Sequence, residues 1–244
     1  MHENIDDAFS FNELKWDSEF FGVSSAKAIL KKPLSLNEWE RLKTRFNDYE
    51  FISIVNHNSE PINAQIIGKN TSAFLADVNI QFVKQIETPL EMPKNIEFHQ
   101  SLKRNDQVID MADFQFSKFT EDPDLAKCGG DKLYRQWLIN SFNNPEKFFA
   151  LSKDENGEIN GFLLHSYSNN ACVIELIAVS QTTVKGGIGT SLFRAVEYVA
   201  QQRGLNEIKV GTQVRNMGAI NFYHKVGCKQ VGCHQVYHLW KGNN

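Results

Sequence analysis

The most regular pattern along the chain lies in its second half. Val173-Ile-Glu-Leu-Ile-Ala-Val179 is a β-branched, apolar run that predicts a strand over 174–179. A polar loop follows, closing on Gly186, Gly187 and Gly189, and an amphipathic stretch from Thr190 to Arg203 predicts a helix. Glu207 to Gln213 alternates apolar and polar positions, as a strand does. From Asn216 to Gly227 the spacing is helical, with Asn216 as the N-cap and Gly227 just past the end. Phe148–Leu151 and Gly161–Ser166 predict two further strands around the turn-like Asp154-Glu-Asn-Gly157, and Cys233–Trp240 predicts a last one. Upstream, Gln107–Ala112 reads as a strand, followed by two helical segments, one marked by Leu133, Trp137, Ile139 and Phe142.

The first hundred residues are patterned differently. Ser35-Leu-Asn-Glu38 has the form of a capping box, and Leu36, Trp39, Leu42, Lys43 and Phe46 continue at helical spacing. Phe51–Val55 and Phe74–Val83 predict strands. Residues 87–94, with Pro89 and Pro93, predict a loop or linker. Two parts are therefore expected: residues 1–104, a smaller α/β unit, and residues 105–244.

Composition narrows the class. The 244 residues carry a net charge of −3 and 41% hydrophobic residues, an ordinary globular balance without a nucleic-acid footprint. No apolar run approaches a membrane span, and the acidic N-terminus lacks a signal-peptide core, so a cytoplasmic protein with no membrane partner is expected. The four cysteines lack Cys-x-x-Cys spacing and read as free thiols. His234 and His238 have the spacing of two helical metal ligands, but on a strand they stand ~13 Å apart, so no metal is expected.

The glycine loop carries the candidate chemistry. Strand, glycine loop and helix N-terminus present several backbone N–H groups to a phosphate. A P-loop would place Lys-Ser/Thr after its last glycine, where this chain has Thr190-Ser191, and a dinucleotide fingerprint would need glycine at Leu192. The loop instead resembles that of the GCN5-related N-acetyltransferases (GNAT), Gln/Arg-x-x-Gly-x-Gly/Ala, over Val184-Lys185-Gly186-Gly187-Ile188-Gly189, with Val184 where the family carries Gln or Arg. Asn216-x-x-Ala219-x-x-Phe222-Tyr223-x-x-x-Gly227 matches a second family segment in the right order. Within the family, Trp16-x-x-x-Phe20-Phe21-Gly22-Val23, Ser117-Lys118-Phe119 with Asp122-Pro123, Leu133-Tyr134-x-x-Trp137 with Asn140-Ser141, and Tyr237-His-Leu-Trp240 are similar to the dTDP-fucosamine acetyltransferases. There Lys118 replaces the usual arginine.

This resemblance implies an α/β (α+β) GNAT fold. Its central sheet would be mixed but mostly antiparallel, flanked by helices, and preceded by the smaller N-terminal unit. It implies acetyl-CoA as co-substrate. Leu176, Ile177, Ala178 and Val179 would lie along the pantetheine arm, Val184, Lys185, Gly186, Gly187, Ile188, Gly189 and Thr190 around the pyrophosphate, and Asn216, Ala219 and Phe222 beside the arm. Tyr223 is the implied general acid and Glu175 the candidate base, with a water chain as the alternative and His165 a lesser one. Lys118, Phe119, Tyr134 and Trp137 would meet a nucleotide-linked amino sugar. Trp16, Phe20, Phe21 and Trp137 have an equally plain reading as packing residues. Other amines as acceptor, a non-catalytic acyl-CoA-binding module and the oligomeric state, a homodimer included, stay open.

Overall fold

A computed structural model describes residues 8–87, 91–168, 170–181 and 186–242. Val184 and Lys185 lie outside the described residues, as do 88–90 of the expected linker. The elements run Phe9–Glu13 (β1), Lys15–Phe21 (α1), Ser25–Leu30 (β2), Leu36–Thr44 (α2), Phe51–Asn56 (β3), Pro61–Asn70 (α3), Phe74–Gln85 (β4) and Ile96–Gln100 (β5). They continue Asp106–Asp110 (α4), Lys118–Glu121 (α5), Pro123–Lys127 (α6), Leu133–Ser141 (α7), Phe148–Lys153 (β6), Ile159–Ser168 (β7), Ala171–Val179 (β8), Ile188–Gln202 (α8), Glu207–Gln213 (β9), Met217–Lys225 (α9) and Lys229–Trp240 (β10).

Local chemistry accounts for most of these boundaries. The capping box at α2 is formed: Ser35 Oγ accepts from the Glu38 amide and the Glu38 carboxylate accepts from the Ser35 amide at 2.7 Å. Asn216 caps α9 through the Ala219 amide at 3.0 Å, and Gly227 follows that helix at φ +88°. One expectation is overturned. Gln107–Ala112 is not a strand, because Asn105 Oδ1 accepts from the Val108 amide and starts the short helix α4, burying the adjacent Val108 and Ile109. A side-chain cap thus outweighs the β-propensity of two branched residues.

The strands form one mixed sheet in the order β1-β2-β3-β10-β4-β9-β8-β7-β6-β5. Among the described residues only β2/β3 and β8/β9 pair in parallel, and each of these pairs is bridged by a helix, α2 and α8 respectively. The last strand, β10, lies between β3 and β4, and β4 in turn pairs with β9, so the ladder crosses the 104/105 boundary more than once. In the β6–β9 part of the sheet, alternation along the strands sends side chains to two cores, while Trp39, Leu42, Ile52 and Ile54 belong to a separate one under β1–β3. Ala150, Leu163, Ile174 and Ile208 meet Leu192, Phe193 and Val196 of α8 on one face. Phe149, Phe162 and Leu164 meet Val108, Ile109, Leu138 and Phe142 on the other. No helix among the described residues is long and apolar enough to cross a membrane.

Candidate active site

Two irregularities in the sheet open a site between β8 and β9. Their parallel ladder covers only Ala171↔Glu207, Cys172↔Ile208 and Val173↔Lys209. Beyond that point β9 stays with β4 to Gln213↔Asn79, whereas β8 stays with β7 to Val179↔Gly161. The two strands diverge, and the edge of β8 over 174–179 that faces β9 has no ladder partner among the described residues. Backbone groups on that edge need another hydrogen-bonding partner. The second irregularity is a bulge in β8: Leu164 opposes Leu176 and His165 opposes Ile174, leaving Glu175 as the extra residue.

The glycine loop sits at the end of that wedge. Gly187 takes φ +96°, a left-handed conformation suited to glycine, and stands at the N-cap of α8 with no side-chain cap. The first amides of this 15-residue helix therefore lack the usual side-chain acceptor, and the helix dipole adds positive potential there. Gly189 has a packing reason: a Cβ there would come within 3.3 Å of the Phe222 ring and 3.9 Å of Val179. Gly161 of β7, overlooked in the sequence pattern, is the matching concession on the sheet, since a Cβ would meet Ile188 at 2.8 Å and Leu192 at 3.1 Å. A glycine inside a strand was the available signal. Gly189→Val is expected to push Phe222 aside and raise the KM for acetyl-CoA at least about tenfold, at a stability cost of ~1–3 kcal/mol. An unchanged KM would detach this helix end from the cofactor.

Phe222 links the loop to Tyr223. The two rings lie 5.3 Å apart, and Tyr223 packs on Phe82 at 5.5 Å, opposite Val210 of β9. Tyr223 is only 4% exposed. Burial, with the Cys228 sulfur as a minor contributor, holds its phenol above the ordinary value. The hydroxyl thus keeps its proton throughout the range in which the protein works. Glu175 is held by Lys147 Nζ at 2.6 Å, while its other oxygen is buried with no hydrogen-bond partner among the described residues. Buried carboxylate oxygens are ordinarily hydrogen-bonded, so this one retains the capacity to accept. His165 is fully buried, bonded to the Tyr167 hydroxyl at 3.1 Å, and desolvation with Arg203 nearby pushes it down to about 3. Burial therefore keeps the imidazole neutral and makes it a weak proton acceptor.

The residues assigned to the acceptor gather at the far end of β9. Phe119 and Trp137 line one cavity of about 330 Å³, together with Trp16, Asp17, Leu133 and Asn140. Tyr134 stacks on Trp137 at 6.2 Å, and its hydroxyl accepts from Gln213 Nε2 at 3.2 Å. Lys118 lies over the Phe119 ring at 5.2 Å. Burial first and Lys27 second lower its pKa to about 8, against Asp77 and Asp17. A larger groove of about 1260 Å³ also touches Gly186 and Gly187, but its other wall is the β6–β7 turn with Asp154, Glu155 and Glu158. With Glu97, these carboxylates outnumber Lys94 and Lys153 on the same lining, a balance that disfavours an anion there.

A buried polar knot fixes the segment carrying Lys118 and Phe119. Asp122 caps α6 through the amides of Asp124 (2.9 Å) and Leu125 (3.2 Å). Its second oxygen accepts from His238 Nδ1 at 2.7 Å and Trp240 Nε1 at 3.1 Å. Two segments that resemble one group of enzymes thus meet across 116 residues, a pairing no local pattern could reveal. His234, by contrast, stacks on His57 at 4.5 Å. No group of three or more potential metal ligands occurs among the described residues.

Comparison with known proteins agrees with this geometry. The acetyltransferase (GNAT) family profile matches residues 106–228. The spore coat polysaccharide biosynthesis protein SpsD of Bacillus subtilis (strain 168) is 25% identical over 129 residues, 53% of this chain and 44% of SpsD. The uncharacterized protein YdhI of the same strain is 35% identical over 117 residues, 48% of this chain and 65% of YdhI. The matches thus span under two thirds of either relative. A crystal structure of a GCN5-related N-acetyltransferase from Sphaerobacter thermophilus superposes with a TM-score of 0.60 at 13% identity, covering 96% of this chain and 76% of that one. A tandem GNAT protein from the clavulanic acid biosynthesis pathway gives 0.55 at 12% identity, covering 89% and 76%. With the diverging strands, the uncapped helix and the profile in agreement, the chain belongs to the GCN5-related acetyltransferase (GNAT) family.

Proposed function

We propose that the protein transfers an acetyl group from acetyl-CoA to the amine of a nucleotide-linked amino sugar of the 4-amino-4,6-dideoxyhexose type, for surface polysaccharide. One observation supports the transfer reaction: the β8 edge that diverges from β9 and the open N-terminus of α8 adjoin one wedge, and Phe222, whose ring lies against both Gly189 and Tyr223, joins that helix end to the tyrosine. In this reading Gly186, Gly187, Ile188, Gly189 and Thr190 hold the pyrophosphate through backbone N–H groups. Leu176, Ile177, Ala178 and Val179 pair with the pantetheine arm, with Asn216, Ala219 and Phe222 on its other side. What supports the sugar is the polysaccharide role named for SpsD and the aromatic cavity beyond Gln213.

The chemistry follows from the charges that must move. The acceptor ammonium gives up a proton to the bare oxygen of Glu175, directly or through water, and the free amine attacks the thioester carbon. Amides on the unpaired edge of β8 donate to the oxyanion. The C–S bond then breaks, the sulfur takes the Tyr223 proton, and the phenolate is reprotonated by the nitrogen as the amide forms.

The test is a steady-state assay with acetyl-CoA and a panel of dTDP- and UDP-linked amino sugars, free amino sugars, polyamines, an aminoglycoside and a peptide N-terminus. Nucleotide-linked amino sugars are expected to lead in kcat/KM by about 100-fold or more. A preference for any other class would overturn the acceptor. Thermal stabilisation by CoA without turnover of any amine would overturn the enzyme.

A further inference from the structure

The turn between α7 and β6 is tied down more firmly than a simple connection requires. Asn143 takes φ +58°, and its amide donates to the Leu102 carbonyl at 2.8 Å. Asn144 Oδ1 accepts from the Glu146 amide at 2.9 Å, and the Asn144 carbonyl accepts from the Lys147 amide at 3.1 Å. The Lys147 carbonyl accepts from the Ser101 amide at 3.1 Å, and Gln100 Nε2 donates to the Pro145 carbonyl at 2.8 Å. Residues 143–147 are thus pinned to the end of β5. From that fixed root Lys147 reaches β8, where its Nζ lies 2.6 Å from Glu175 Oε1. The strands β6 and β8 flank β7, so the pair bridges ~10 Å of sheet. We infer that Lys147 is a positioning residue for the proton transfer, holding one oxygen of Glu175 so that the other stays free to take the proton of the acceptor amine. The inference rests on Glu175 as the base proposed above.

The site needs such a device because of the bulge. Glu175 is the extra residue of β8, with no opposite number on β7 to fix its direction. A glutamate also has considerable rotamer freedom to lose before it can act as an aimed acceptor. One short ion pair removes that freedom. An ammonium is a compact point charge that engages a single oxygen, whereas an arginine fork would take both. The second oxygen accordingly has no hydrogen-bond partner among the described residues. The pair is largely out of water, with side chains 22% exposed for Lys147 and 8% for Glu175. In that setting removing the lysine leaves a buried charge uncompensated, whereas removing both charges does not. A pair that merely closes the bulge would act on stability, and its loss would slow the enzyme to the same extent whether or not position 175 carries a carboxylate. A positioning residue acts only through that carboxylate.

Steady-state kinetics of Lys147→Met, Glu175→Gln and the double variant test this, with acetyl-CoA and the amine of the panel above that turns over fastest. Lys147→Met is expected to lower kcat by about tenfold or more while the KM for acetyl-CoA stays within about threefold. In the Glu175→Gln background the same substitution should change kcat by less than about twofold, since the group it acts through is gone. The double variant buries neither charge, so its Tm should stand above that of Lys147→Met. Where Lys147→Met does not fold, Lys147→Gln keeps a donor for Oε1 and is read in the same cycle. Unaltered kcat in Lys147→Met beside a slowed Glu175→Gln would overturn the positioning role and leave the base standing. Equal losses in the two backgrounds would do the same, and would mark a purely structural pair. Unaltered kcat in Glu175→Gln would overturn the base and this inference with it.

Discussion

Tyr223→Phe is expected to lower kcat by about 10²-fold or more and leave the KM for acetyl-CoA within about threefold. The range is that of a positioned general acid. The phenol is buried between Phe82 and Phe222, so removing one oxygen leaves the packing intact and Tm should not fall. Its raised pKa makes it an acid at every working pH, so the basic limb of the pH–rate profile belongs to another group. Glu175→Gln in the same experiment separates the two roles. If Glu175 receives the amine proton, the glutamine variant loses rate and its pH profile changes form; if a water chain does, both stay. Phenylalanine at 223 with near-normal kcat would remove the tyrosine from the reaction.

Asp122→Asn is expected to destabilise the fold by ~3 kcal/mol, which for a chain of this size is a drop of about 6–12 °C in Tm. The carboxylate is 1% exposed and takes four donors. An amide keeps the helix cap but presents NH₂ to the Trp240 N–H, a group that can only donate. The loop bearing Lys118 and Phe119 should loosen, raising the KM for the acceptor more than that for acetyl-CoA. Acid acts on the same knot. Burial raises Asp122, but the bonds from His238, Trp240 and the backbone outweigh it, so its stabilisation is lost only below the ordinary carboxylate range. His238 and His165 are depressed by burial and fold neutral. The unfolded chain binds their protons first, so stability falls as pH drops below about 6.5, by up to ~1.4 kcal/mol per unit for each histidine. Differential scanning calorimetry at pH 7 and pH 5 would measure this; equal Tm values would contradict the buried neutral histidines.

The parts of the fold legible in advance are those whose cause is local. Ser35 and Glu38, and Asn216 and Ala219, act within a few residues, and each appears where its spacing puts it, whereas α8 starts at Ile188 on the Gly187 cap, two residues before the expected Thr190. The α4 segment shows the limit of that reading, since Val108-Ile109 suits either state and the Asn105 cap decided it. Trp137 could be packing or ligand surface by pattern alone. It became a cavity wall only because α1 brought Trp16 and Asp17 alongside it. Lys147, bonded to Glu175 across 28 residues, carries no sequence mark at all.

The chain by itself determined its caps, its glycine helix start and the order of its family segments, because backbone conformation and helix-end hydrogen bonding depend on neighbours in sequence. Tertiary structure decided the rest. It made β9 follow β4 and leave β8, and it set β10 between β3 and β4. It also carried His238 to Asp122 and gathered two tryptophans around one cavity. Strand partners and buried polar pairs are chosen by which faces can be covered and which donors satisfied once the whole sheet has assembled, and such choices leave no period or spacing to read.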